Sequence, residues 1–132
     1  MVIIQLILMQ PFDIKKLARS FHNAFRGVIR LLATEQNARI HATISIVVGI
    51  LAYILGVSRI EVTVLFMAIV LVFAMEIMNT AVERTCDIID SEHNVRIAVI
   101  KDGMAGAVLL ASVIAIVVAI LIFLPYIREL FG

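Results

Sequence analysis

The sequence predicts an all-α integral membrane protein, an amphipathic surface helix followed by three membrane-spanning helices. Three observations carry this expectation. The apolar runs 42–58, 62–82 and 103–127 are each about long enough to cross a bilayer, allowing the first to extend back through Ile40. Of the 132 residues 63% are hydrophobic and mean hydropathy is +1.12, whereas a soluble domain is nearer half apolar. Basic residues gather ahead of the first run, where Lys15, Lys16, Arg19, Arg26, Arg30 and Arg39 face only Asp13 and Glu35.

The elements follow in order. The segment 1–9 is apolar but too short to span. It lacks a basic leader and a small-residue cleavage site, so it reads as neither a signal peptide nor a transmembrane helix. Residues 13–33 read as a helix with Asp13 as its N-cap. Ile14, Leu17, Phe21, Phe25, Val28, Leu31 and Leu32 form one face, and Lys15, Arg19, His22, Arg26 and Arg30 the other. Such a helix suits a membrane interface. Spans are expected at 40–58, 62–82 and 103–127, within a single domain covering 1–132. The break Gly56-Val57-Ser58-Arg59-Ile60-Glu61 suits a tight helical hairpin, and Pro125 falls near the end of the third run, where a helix break costs little.

Charge sets the expected orientation. The 59–61 turn has only Arg59 and the tail only Arg128, while the 83–102 connection has Arg84, Arg96 and Lys101. The positive-inside rule therefore puts the N-terminus and the 83–102 connection in the cytoplasm of a multi-pass protein of the cell membrane. Net charge is only +1, and nothing in so apolar a chain points to nucleic acid. Cys86, the one cysteine, has no partner for a disulfide within the chain and no zinc spacing.

Glu76 interrupts the second run. A carboxylate at membrane depth costs several kcal/mol on most scales, so it marks a functional site by default. At about 100° per residue, Glu76, Glu83 and Asp87 fall within about 40° of one helix face, with Asn79 beside it. The stripe reads as a polar track from water into the membrane. More polar residues collect at the same end: Glu35, Asn37, Arg39 and His41 before the first span, and Glu92, Asn94, Lys101 and Asp102 after the second. Carboxylates among basic residues can hold Mg²⁺ and polyphosphate together. Neither a Walker loop nor a kinase-type GxGxxG occurs, so a nucleotide site of those types is excluded.

The string Glu76-x-x-Asn79-x-x-x-Glu83-x-x-x-Asp87, then Ser91-Glu92, then Lys101-Asp102-x-x-Ala105-Gly106-Ala107-Val108, resembles the small prokaryotic diacylglycerol kinase and undecaprenol kinase family. Phe25-x-Gly27 and Glu35-x-Asn37-x-Arg39-x-His41 match as well, and the similarity covers roughly residues 14 to 125. The resemblance implies a homotrimer of three-span subunits that phosphorylates a lipid hydroxyl with ATP and Mg²⁺ at the cytoplasmic membrane face. By the same resemblance, Glu76 is the catalytic base, and Glu35 and Glu83 are the metal ligands that hold Mg·ATP. Lys16, Asn23, Glu92, His93, Asn94, Lys101 and Asp102 fall at nucleotide-contacting positions. Asn37, Arg39, His41, Asn79, Asp87 and Ala105 support the site or the lipid. Glu92-His93-Asn94 stands where relatives commonly have Glu-Tyr-His, which bears on contacts to the base.

Two readings of other classes compete with a lipid kinase. A non-catalytic assembly protein would not need every presumed catalytic position filled. A proton- or ion-coupled transporter carrying its charge on Glu76 would not need Glu35, Glu83 and Asp102. Between lipids, family versions with His at the place of His41 resemble undecaprenol kinases, and those with an acid there resemble diacylglycerol kinases. Undecaprenol is the expected acceptor and diacylglycerol the alternative.

Overall fold

The structure is a computed structural model. It describes residues 13–89 and 94–132, apart from the side chain of Phe131. The segment 1–9 and the positions Glu92 and His93 lie outside the described residues. Four helices are present: α1 (Ile14–Thr34), α2 (Gln36–Ile54), α3 (Arg59–Ile89) and α4 (Val95–Phe131). Among the described residues there is no strand. Helices α2, α3 and α4 are each long and apolar enough to cross a membrane. The chain is an all-α membrane protein.

The chain divides into two compact units, and the break falls between Thr34 and Glu35. The first contains α1. Asp13 caps it, its Oδ1 accepting from the backbone N–H of Lys15 at 2.8 Å and of Lys16 at 3.2 Å. The apolar stripe is exposed at Ile14, Phe21 and Phe25, as expected of a helix whose apolar face meets lipid.

The second unit is built from α2, α3 and α4. Helix α2 ends because Gly56 adopts φ +64, a left-handed conformation that glycine adopts without strain. The N–H of Gly56 donates to the Tyr53 carbonyl and that of Val57 to the Ala52 carbonyl, a Schellman closure. Helix α3 then starts in a capping box. The Ser58 N–H donates to Glu61 Oε2 at 3.1 Å, and the Glu61 N–H donates back to Ser58 Oγ at 3.4 Å. From the far end of α4, the Tyr126 hydroxyl donates to Glu61 Oε2 at 2.6 Å.

Helix α3 packs chiefly along α4 and over a shorter stretch on α2. A buried cluster of Ala52, Leu65 and Phe123, with Val48, Val57 and Ile122 against it, joins the three helices at the hairpin end. Away from these contacts the outer faces expose large apolar side chains such as Ile46, Phe66, Leu109 and Leu121. Those faces are suited to hydrocarbon or to other subunits.

Two details extend the periodicity reading. Charge at Glu83, Arg84 and Asp87 ends the second apolar run but not the helix, which continues to Ile89. Glu and Arg are good helix formers in water, and the stripe from Glu76 to Asp87 rides on one unbroken helix. Pro125 does not break α4, which runs on through it. The proline removes the N–H that would serve the carbonyl four residues earlier and crowds that carbonyl with its ring, a local cost near the helix end.

Candidate functional site

Glu76 is the largest fully buried side chain among the described residues, at 2% exposure. It shares the inward face of α3 with Val72 and Thr80, both buried. Among the described residues its Oε2 has no hydrogen-bond partner. An acid oxygen left so forfeits on the order of 1–3 kcal/mol, and such an orphan calls for an explanation such as a catalytic role or a missing ion. The charged and titratable groups close enough to act on it are His41, Glu35 and Glu83. They come from α2, from the residue that precedes it, and from two turns further along α3.

The stripe emerges from the fold as it leaves Glu76. Asn79 is half-buried, while Glu83 and Asp87 are exposed. Lys101 on α4 reaches across to them. Its Nζ donates to Asp87 Oδ1 at 2.9 Å and stands 3.8 Å from Glu83 Oε1. Arg84 reaches the other way, its Nη2 donating to Glu35 Oε1 at 2.7 Å. The sequence had marked Arg84 only as a topology charge. Its partner lies 49 residues away, so no local spacing could have revealed the pair.

The remaining expected residues are placed as follows. Asn37 and Arg39 are exposed on the first turns of α2, and His41 is half-buried one turn on. His41 lines a cavity of about 260 Å³ among α2, α3 and α4, together with Ser45, Leu65, Val72, Ser112 and Ala115. Asn94 is the N-cap of α4, its side chain accepting from the Arg96 N–H at 3.0 Å. Asp102 and Ala105 are exposed on α4 beyond Lys101. Lys16 and Asn23 lie on α1, in the other unit, where Asn23 borders a shallow polar hollow with Arg26, Gly27 and Arg30.

Among the described residues no three His, Cys, Asp or Glu side chains converge as a metal cage. Mg²⁺ does not require one. It takes one or two carboxylates and completes its shell with phosphate oxygens and water. Glu35 and Glu83, hard oxygen donors near an orphaned buried carboxylate, fit that pattern.

Residues 22–123 match the prokaryotic diacylglycerol kinase family. The chain belongs to that family. It is therefore a membrane lipid kinase. Among members of this family, it is 35% identical over 113 residues to an undecaprenol kinase of Bacillus subtilis, a match covering 86% of this chain and 92% of that one. It is 36% identical over 107 residues to a diacylglycerol kinase of Synechocystis, covering 80% of this chain and 61% of that one.

Proposed function

We propose that this lipid kinase transfers the γ-phosphoryl group of ATP to the hydroxyl of undecaprenol. The observation that carries the reading is Glu76, fully buried with an unpartnered Oε2 among His41, Glu35 and Glu83. In the step, the lipid oxygen bonds to the γ-phosphorus and the bond from that phosphorus to the β–γ bridging oxygen breaks. The lipid O–H proton passes to Glu76, and ADP leaves. Glu76 serves as general base, and Glu35 and Glu83 hold the metal. Mg²⁺ bound there supplies charge neutralisation for the transferring group. Lys101, already beside Glu83 and Asp87, adds positive charge where the polyphosphate would lie. Glu92, His93, Asn94, Asp102, Lys16 and Asn23 complete the nucleotide contacts in this reading. Asn79, Asp87, Asn37, Arg39 and Ala105 support the site.

Two things favour undecaprenol. The relative with the fuller overlap is named an undecaprenol kinase. His41, the residue that points to that lipid, lies close enough to Glu76 to act on its charge and lines the apolar cavity, which would admit part of an isoprenoid tail. The second reading, diacylglycerol, is favoured by the name of the other relative. Competition between the two lipids in mixed micelles at equal surface concentration, scored by kcat/KM, separates them. Undecaprenol is expected to win, and a clear preference for diacylglycerol would reverse the assignment.

The subunit works as a homotrimer in the cytoplasmic membrane, its N-terminus and the Glu83 end facing the cytoplasm. The exposed apolar faces of α3 and α4 and the basic-residue bias support this. In a Cys86→Ser background, a cysteine near Arg59 should react with a membrane-impermeant thiol reagent in intact cells. One near Asp87 should not. The opposite pattern would invert the orientation, and a monomeric mass by analytical ultracentrifugation in detergent would remove the trimer.

A further inference from the structure

The Glu35–Arg84 pair lies where the proposed metal site would form. Glu35 is the N-cap residue of α2, yet its side chain makes no capping hydrogen bond. A carboxylate at that position ordinarily accepts from the free N–H groups of the first turn. Here it turns to the Arg84 guanidinium at 2.7 Å instead. The pair is not sealed in: the Arg84 side chain is 49% exposed and that of Glu35 is 30% exposed. Solvent screens a pair of that kind and it is held weakly.

The rest of the charge pattern repeats the arrangement. Lys101 covers Glu83 and Asp87 just as Arg84 covers Glu35. Each proposed metal-binding carboxylate thus has a protein cation beside it. A divalent ion arriving with a polyanion would take the carboxylates and leave those cations next to phosphate. Guanidinium is suited to the exchange, because its planar fork matches phosphate oxygens as well as it matches a carboxylate. Arg84 also follows Glu83 directly and sits about 12 Å along the α3 axis from Glu76, within reach of a polyphosphate whose last group lies at Glu76.

We propose that Arg84 is a phosphate-binding residue held in reserve on Glu35, which it covers until a divalent cation takes that carboxylate and which it then leaves for the polyphosphate of the nucleotide. The inference rests on the reading of Glu35 as a metal ligand, and its test keeps the two apart.

The full-length protein in detergent, as wild type, Arg84→Gln, Arg84→Lys and Glu35→Gln, is titrated with ATP and with adenosine, once in excess Mg²⁺ and once in excess EDTA. Separately, Mn²⁺ is titrated without nucleotide and followed by electron paramagnetic resonance. Arg84→Gln is expected to weaken ATP binding in Mg²⁺ about tenfold, to change it much less in EDTA and to leave adenosine unchanged, with Arg84→Lys recovering part of the loss. The same Arg84→Gln is expected to bind Mn²⁺ several-fold more tightly, because the cation beside Glu35 is gone. A merely structural ion pair would not lower the ATP-to-adenosine affinity ratio in Mg²⁺ while sparing it in EDTA. The inference is overturned if Arg84→Gln and Arg84→Lys both bind ATP in Mg²⁺ as wild type does, if Arg84→Gln loses as much ATP affinity in EDTA as in Mg²⁺, or if Mn²⁺ affinity falls in Glu35→Gln yet does not rise in Arg84→Gln. Unchanged Mn²⁺ affinity in Glu35→Gln would instead remove Glu35 from the metal site, with the ATP titrations still deciding the role of Arg84.

Discussion

At the hairpin, Gly56 closes α2, the Ser58–Glu61 box opens α3, and Tyr126 reaches over from α4 to the same carboxylate. Beneath them Ala52, Leu65 and Phe123 pack as a buried cluster. At the other end of the bundle, a fully buried carboxylate has an oxygen with no partner, and the charges around it are held in exposed ion pairs. In the first region the polar groups of the turn are satisfied by residues next to them in sequence or one helix away. In the second the fold leaves a costly group unsatisfied. The difference separates a satisfied, well-packed end from an end with an unsatisfied acid, which on the proposed reading is where the chemistry lies. Functional sites tolerate local cost because the surrounding structure supports it.

The sharpest way to break the comparison is Glu76→Gln. The variant should lose about two orders of magnitude or more in kcat, as expected when a general base is removed. Its thermal midpoint should not fall, since a neutral amide of the same shape replaces an unpartnered buried acid. Near-wild-type turnover would remove the base assignment, and a large loss of stability would show that Glu76 belongs to the packing and not to the chemistry.

Glu35→Gln and Glu83→Gln probe the rim of the same region. Each should raise the Mg²⁺ concentration for half-maximal activity about tenfold, since a hard cation loses an anionic oxygen. A Mg²⁺ titration that matches wild type for both variants would leave these residues as surface charges only.

The smallest expected effect lies at the hairpin. A Cβ at Gly56 meets no atom within 4 Å, so Gly56→Ala has only the left-handed backbone to contend with, a cost of about 1–2 kcal/mol. The expected result is a lower midpoint of unfolding in denaturing detergent with kcat unchanged. A loss of kcat without a loss of stability would mean that the two ends are not separable.

Much of this was legible in the chain. Long apolar runs gave the spans because only helices satisfy every backbone group in hydrocarbon within one segment. Asp13 as a cap, the hairpin at Gly56 and the alignment of Glu76, Glu83 and Asp87 all follow from spacing within a few residues. The family was legible too, through Glu76, Asn79, Glu83, Asp87 and the Lys101-Asp102 pair. Helix ends were less legible. Hydropathy reports where lipid ends, whereas backbone hydrogen bonding carries α3 past Val82.

What the sequence determined by itself was therefore local: which segments are helical, which face of each is polar, and which residue types stand ready for phosphoryl transfer. Tertiary structure decided the pairings. Arg84 meets Glu35 across 49 residues, and Tyr126 meets Glu61 across 65. Glu76 proves to have an orphaned oxygen only because α3 is packed so that the side chain is shut away from water. Helical periodicity constrains neighbours three and four residues apart. A charge on another helix enters only when packing sets the register between them, and that register is fixed by the buried contacts of all three helices at once.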